Sequence, residues 1–85
     1  MDIKQHIATQ IKAIGAILQR EQLACRLVAT IQGPLTLTYK MRLVDPNRQK
    51  MTHILQMSGV LQSVLLVESV RIQQVNGLIE IQIQS

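Results

Sequence analysis

Aromatic side chains are almost missing from this sequence: Tyr39 stands alone, with no Trp and no Phe. Such a chain offers no stacking platform for nucleobases or sugar rings. Cysteine is equally scarce. Cys25 is single, so an intramolecular disulfide framework is excluded, and a reducing, cytoplasmic setting is the expectation. The two histidines, His6 and His53, stand at no metal-ligand spacing with Cys, Asp or Glu. The five acidic residues are scattered, which leaves no paired carboxylates for acid–base work. Gly33, Gly59 and Gly77 are far apart, and no Walker-type phosphate loop is present. These gaps predict no catalytic residues, no metal, no cofactor and no small-molecule substrate, and they make an enzyme the least expected class. Long apolar runs are missing too. None approaches the roughly 18 residues of a membrane span, and the N-terminus lacks the basic-then-apolar order of a secretory signal. No membrane contact is expected.

What the sequence does have is aliphatic. Hydrophobic residues make up 47% of its 85 positions, nearly all Ile, Leu, Val, Ala and Met, and the net charge is +4. That length predicts a single domain over residues 1–85, near the lower limit for a core that folds alone. The basic excess permits attraction to phosphates without requiring a nucleic-acid partner.

Ile3, Ile7, Ile11, Ile14 and Leu18 recur at helical spacing, with Ile17 beside them and Gln10 among the polar residues turned away. The pattern predicts a helix over residues 3 to 20 that packs on the domain's own core. Asp2 is its N-cap, with Gln5 completing a capping box. Gly15 reads as a point of close approach to the sheet. From Leu23 the period becomes two: Leu23, Cys25, Leu27, Ala29 and Ile31 point inward, Arg26, Val28 and Thr30 outward. Cys25 is thereby expected to be a buried, inert thiol. Gly33-Pro34 turns the chain into a second strand, Leu35 to Val44, with Leu35, Leu37, Tyr39, Met41 and Leu43 inward. Asp45-Pro46-Asn47 ends it. A second helix is predicted over residues 48–65, with Met51, Ile54, Leu55, Met57, Val60, Leu61 and Leu65 as its apolar face and Ser58-Gly59 packed closely on the first helix. Residues 69–75 and 78–84 form a hairpin around Asn76-Gly77, a type I′ signature. The order is αββαββ, an α+β fold with a four-stranded sheet and two helices packed on one face.

Lys40, Arg42, Arg48, Lys50 and His53 cluster around the end of the second strand and the start of the second helix. They read as a phosphate-contacting patch aided by a helix N-terminus, or, more plainly, as a solvated rim interrupted by Asp45. In the first reading the chain is a stand-alone nucleic-acid-binding or protein-interaction domain. The outward sheet face lacks the aromatics of an RNA-recognition sheet, and the chain lacks the G-x-x-G loop of a KH domain.

Several short motifs fall in a specific order: Gly33-Pro34 with Tyr39 five positions after the proline, Lys50-Met51-Thr52-His53-Ile54, Ser69-Val70-Arg71-Ile72, then Gly77 and Ile79-Glu80-Ile81. The set resembles the alpha domain of the FtsK/SpoIIIE DNA translocases of chromosome partition, over about residues 10 to 82. In that family the alpha domain is non-catalytic. It precedes a RecA-like ATPase, and the two stack as layers of a hexameric ring around double-stranded DNA. The resemblance implies partners of three kinds: further copies of the chain, a RecA-like motor, and duplex DNA contacted through its phosphates without sequence preference. It places Lys50 and His53 near the channel-side helix start and gives Arg71 a structural role. The chain departs from the family in its Asn76-Gly77 turn, where a longer Pro-Gly-Lys loop is usual, in Leu37-Thr38, where the family has Thr-Arg before its Tyr, and in Ile81-Gln82-Ile83-Gln84-Ser85, where the family exits through Ile-Glu-Val-Pro-Asn. These 85 residues contain no ATPase, so translocase activity does not carry over to them. The resemblance leaves a piece of a larger translocase or a free-standing relative.

Overall fold

Two hairpins supply the sheet and the segments before them supply its cover. The computed structural model describes residues 2–84. It runs α1 (Ile3–Arg20), β1 (Cys25–Gln32), β2 (Thr36–Leu43), α2 (Arg48–Leu55), α3 (Ser58–Leu65), β3 (Ser69–Val75) and β4 (Leu78–Gln84). The four strands form one antiparallel sheet in the order β1-β2-β4-β3. The second hairpin thus inserts its last strand beside β2, and β1 and β3 become the edges. All three helices lie on one face of this α+β fold.

The central strands follow their sequence pattern except at Leu35, expected inward, which precedes β2 in the turn and is 72% exposed. Leu37, Tyr39, Met41 and Leu43 on β2 and Ile79, Ile81 and Ile83 on β4 are buried against Ile14, Ile17 and Leu18 of α1. Alternation of period two puts every second side chain on the apolar face. The opposite face carries Thr36, Thr38, Lys40, Arg42, Glu80 and Gln82.

Strand β1 breaks the expected alternation. Cys25 lies opposite Leu43 and Leu27 opposite Met41, but Ala29 then pairs with Lys40, Thr30 with Tyr39 and Ile31 with Thr38. Val28 is the extra residue of a β-bulge, and it turns the rest of the strand over. Ala29 and Ile31 therefore face outward and Thr30 inward, the reverse of the plain alternation. Ile31 is left 49% exposed. The turn fixes this outcome: the Gly33 N–H donates to Thr36 O at 2.8 Å, which sets Gln32 opposite Leu37. Seven steps along β1 must then match six along β2. A side chain at Gly33 would put its Cβ 3.0 Å from Thr36 Oγ1, so glycine suits the turn sterically.

The second helical stretch is two helices, not one. The N–H groups of Gln56 and Met57 donate to the carbonyls three residues back, His53 and Ile54, and this tighter winding ends α2. Helix α3 restarts at Ser58, so Ser58 and Gly59 occupy its first turn. Ile54, Met57 and Leu61 are buried; Leu55 and Val60, expected on the apolar face, are exposed. Gly59 faces open space and is not a packing point against α1. Gly15 is likewise exposed, with no atom within 4 Å of where a Cβ would stand, so it makes no close approach to the sheet.

Helix α1 begins as its sequence indicates, with Asp2 Oδ1 accepting the Lys4 N–H at 3.1 Å. Gln5 makes no return bond among the described residues, so the cap is single-sided. Gln10 is the main departure. It turns into the core, 5% exposed, where its Oε1 accepts the Tyr39 hydroxyl at 2.6 Å. A buried phenol needs an acceptor, and Gln10 supplies it. The Asn76-Gly77 turn has both residues at positive φ, 51° and 78°, as a type I′ hairpin requires.

Two substitutions separate these features in urea unfolding. Gly15→Ala should raise stability by about 1 kcal/mol, because the helix gains propensity and nothing is displaced. Tyr39→Phe should lower it by about 1–3 kcal/mol, because Gln10 Oε1 is left buried without its donor.

Candidate nucleic-acid interface

The five clustered basic residues are divided by the loop Val44–Asn47, which carries the chain from the sheet to the helix layer. Lys40 and Arg42 stay on the outer sheet face. Arg48, Lys50 and His53 ride on α2. The cluster in sequence is two groups in space.

Each member has its own surroundings. Lys40 sits mid-sheet opposite Glu80, its Nζ 3.6 Å from Glu80 Oε2, and Glu80 Oε1 also accepts Gln73 Nε2 at 3.2 Å. Lys50 is tied down. Its backbone N–H donates to Asn47 Oδ1 at 2.8 Å, an N-cap, while its Nζ donates to the carbonyls of Val44 at 3.3 Å and Asp45 at 3.2 Å. The ammonium thereby satisfies the backbone of a loop in which Asp45 adopts φ 49°. A phosphate reaching Lys50 would compete with two bonds that hold the β2–α2 connection. His53 Nε2 lies 3.7 Å from Glu21 Oε2, bridging α2 to the end of α1. Arg48, the first residue of α2, is exposed.

Arg42 has a neighbour that the linear cluster does not include. Arg26 on β1 lies directly opposite it, and both are exposed. The signal was present in the sequence once the hairpin register is known, since the Gly33-Pro34 turn brings the two strands together. Further along the same face, Arg71 of β3 pairs with Gln82 of β4. The face thus carries Arg26, Lys40, Arg42 and Arg71 against the one carboxylate of Glu80.

Cys25 is half-buried with its Sγ donating to Leu23 O at 3.3 Å, and burial pushes its thiol pKa up to about 11. Such a thiol is a poor nucleophile near neutral pH. Burial also pushes the Tyr39 phenol up to about 12, which keeps its proton on the bond to Gln10. Among the described residues no group of three or more His, Cys, Asp and Glu side chains converges as metal ligands would, and no helix is long and apolar enough to cross a membrane.

Comparison with known families, with curated proteins and with solved structures gives no match to this chain.

Both raised groups are neutral when protonated, so the fold holds their protons more tightly than the unfolded chain does. Their contribution to stability is complete below the unfolded pKa values and is lost as pH rises. Urea midpoints should therefore fall from about pH 9, the ordinary thiol value, and continue falling to about 12. Cys25→Ala should delay the onset to about pH 10, leaving the tyrosine's share of the fall.

Proposed function

We propose that this chain is a non-catalytic assembly module of the kind found as the alpha domain of FtsK/SpoIIIE translocases. It associates with further copies of itself, couples to a RecA-like motor, and touches duplex DNA without sequence preference. The observation that carries the reading is the apolar surface of α3. Val60 and Val64, one helical turn apart, are 45% and 50% exposed, and Leu66 just past the helix end is 90% exposed. Leu66 also adopts a left-handed conformation, φ 55°, at a C-cap position where glycine is the usual occupant. Aliphatic side chains left in water in a domain this small favour a partner surface.

The resemblance supplies the partner. Its motifs coincide with residues that build the fold: Gly33-Pro34 makes the β1–β2 turn, Tyr39 holds the core bond to α1, and Ser69–Ile72 opens β3 beside Ile79-Glu80-Ile81. An alpha layer of this type would present α3 to a neighbouring copy or to the motor, with its sheet facing the other way.

Sedimentation across micromolar to millimolar concentrations tests the assembly. The chain should associate, and Val60→Ser with Val64→Ser should abolish association while leaving the unfolding midpoint within the small range usual for exposed sites. A chain that stays monomeric throughout and leaves the ATPase rate of a RecA-like translocase motor unchanged would overturn the reading.

A further inference from the structure

Arg26 and Arg42 stand directly opposite one another across the β1–β2 pair. At that position the two Cβ atoms are about 5 Å apart, and like charges so placed oppose strand pairing. Neither guanidinium has a carboxylate within ion-pair distance among the described residues. Asp45 lines the same shallow concavity of about 240 Å³ yet makes no ion pair with either. Two unpaired guanidinium groups sharing one spot invite an anion, and phosphate matches their forked donors best.

The wider face has the same character. Arg26, Lys40, Arg42 and Arg71 against Glu80 give the outward side chains of the strands a formal charge of +3, or +2 with Asp45 at the rim of the Arg26–Arg42 concavity, out of +4 for the whole chain. The helix layer and the loops hold the remaining five cations and four acids, which nearly cancel. Beside Arg71 and one row from Lys40 lie Thr38 and Gln82, neutral hydrogen-bonding side chains suited to phosphate and sugar oxygens, with Ile31 at the edge of the same row. No aromatic residue is exposed there to stack on a base. The bulge at Val28, two residues from Arg26, adds local twist to the edge that presents it.

We infer that the outer sheet face is a phosphate-binding surface for the backbone of duplex DNA, anchored by the opposed Arg26–Arg42 pair. The occupant follows from the chemistry: a rigid polyanion neutralises both guanidinium groups at once and gains from counterion release, and the face has no exposed aromatic side chain on which an unpaired base could stack. The site deepens the assembly reading, on which it rests for why duplex DNA is at hand. It shifts DNA contact away from Lys50, whose ammonium is bonded to two loop carbonyls, and from His53, whose Nε2 faces Glu21, and away from the helix surface given to partners.

The experiment is a salt titration of the anisotropy of a labelled duplex of random sequence. The affinity of the unaltered protein should fall linearly with salt on logarithmic axes. Arg26→Gln with Arg42→Gln should make that slope shallower by about 1.8, the value for two lost phosphate contacts, and weaken binding about tenfold at low salt. Lys4→Gln with Lys12→Gln on α1 removes the same charge from the other side and should leave the slope nearly unchanged. Equal losses in the two double variants, no salt-dependent binding by the unaltered protein, or displacement of the duplex by poly-glutamate as readily as by unlabelled duplex would each overturn the inference. Sedimentation of the arginine variant separates the two readings. Association retained while duplex affinity is lost supports the site. A monomeric chain that still binds duplex through this pair overturns the assembly reading alone.

Discussion

The bond from the Tyr39 hydroxyl to Gln10 Oε1 is the constraint on which the packing of this domain depends. It joins residues 29 positions apart, runs from a central strand to the covering helix, and lies in an otherwise aliphatic core. Ile, Leu and Val contacts are non-directional and tolerate sliding, so they favour burial without fixing the rotation of α1 over the sheet. A buried hydroxyl paired with a buried amide oxygen tolerates much less, because any slippage leaves both polar atoms without water or partner. With α1 so placed, Ile14, Ile17 and Leu18 join Leu37, Tyr39 and Ile81 in one buried cluster.

The same bond explains where sequence patterns were and were not sufficient. Elements whose geometry is local were legible. Asp2 caps α1, Asn76-Gly77 makes the hairpin, and the alternating Ile79, Ile81 and Ile83 are all buried. Features set by distant partners were not. Gln10 looks like a surface residue on a helical wheel, and only Tyr39 across the core makes it an interior one. Val28 looks like an ordinary strand position until the turn register forces an extra residue into β1. The two-helix break at Gln56 and Met57 follows from winding that no proline or glycine at those positions announces. The site was half legible for a related reason. Lys40 and Arg42 are close in sequence and stay together, but Arg26 joins them only through strand pairing, and Lys50 leaves them because its ammonium is needed by the loop carbonyls.

Strand pairing also separates the two faces by charge. In a sheet with one covered side, every polar residue of the central strands must lie on the other side, and the cations of β1, β2 and β3 accumulate there together. The helix layer has no such sorting. Its cations and acids are scattered, with His53 Nε2 3.7 Å from Glu21 Oε2, and the exposed side of α3 carries Val60 and Val64. A domain with one basic and one partly apolar surface is suited to lie between a polyanion and a protein partner.

Local rules are broken on these two surfaces and in the loops, where Gln22 and Asp45 hold positive φ, and not in the core. Gly15 and Gly59 stand in helices with open space around them, Leu66 holds a left-handed conformation in water, and Arg26 opposes Arg42. The glycines and the arginine pair each cost about 1 kcal/mol or less and the left-handed Leu66 about 1–3 kcal/mol, and a domain of this length has only a few kcal/mol of net stability to lose. The core, by contrast, leaves no buried side-chain polar atom unpartnered among the described residues. Misfits confined to the exterior are the pattern expected when surfaces answer to something beyond the fold, since nothing in the folding of an isolated chain requires an arginine opposite an arginine. The interior specifies the structure, and the unfavourable positions lie outside it.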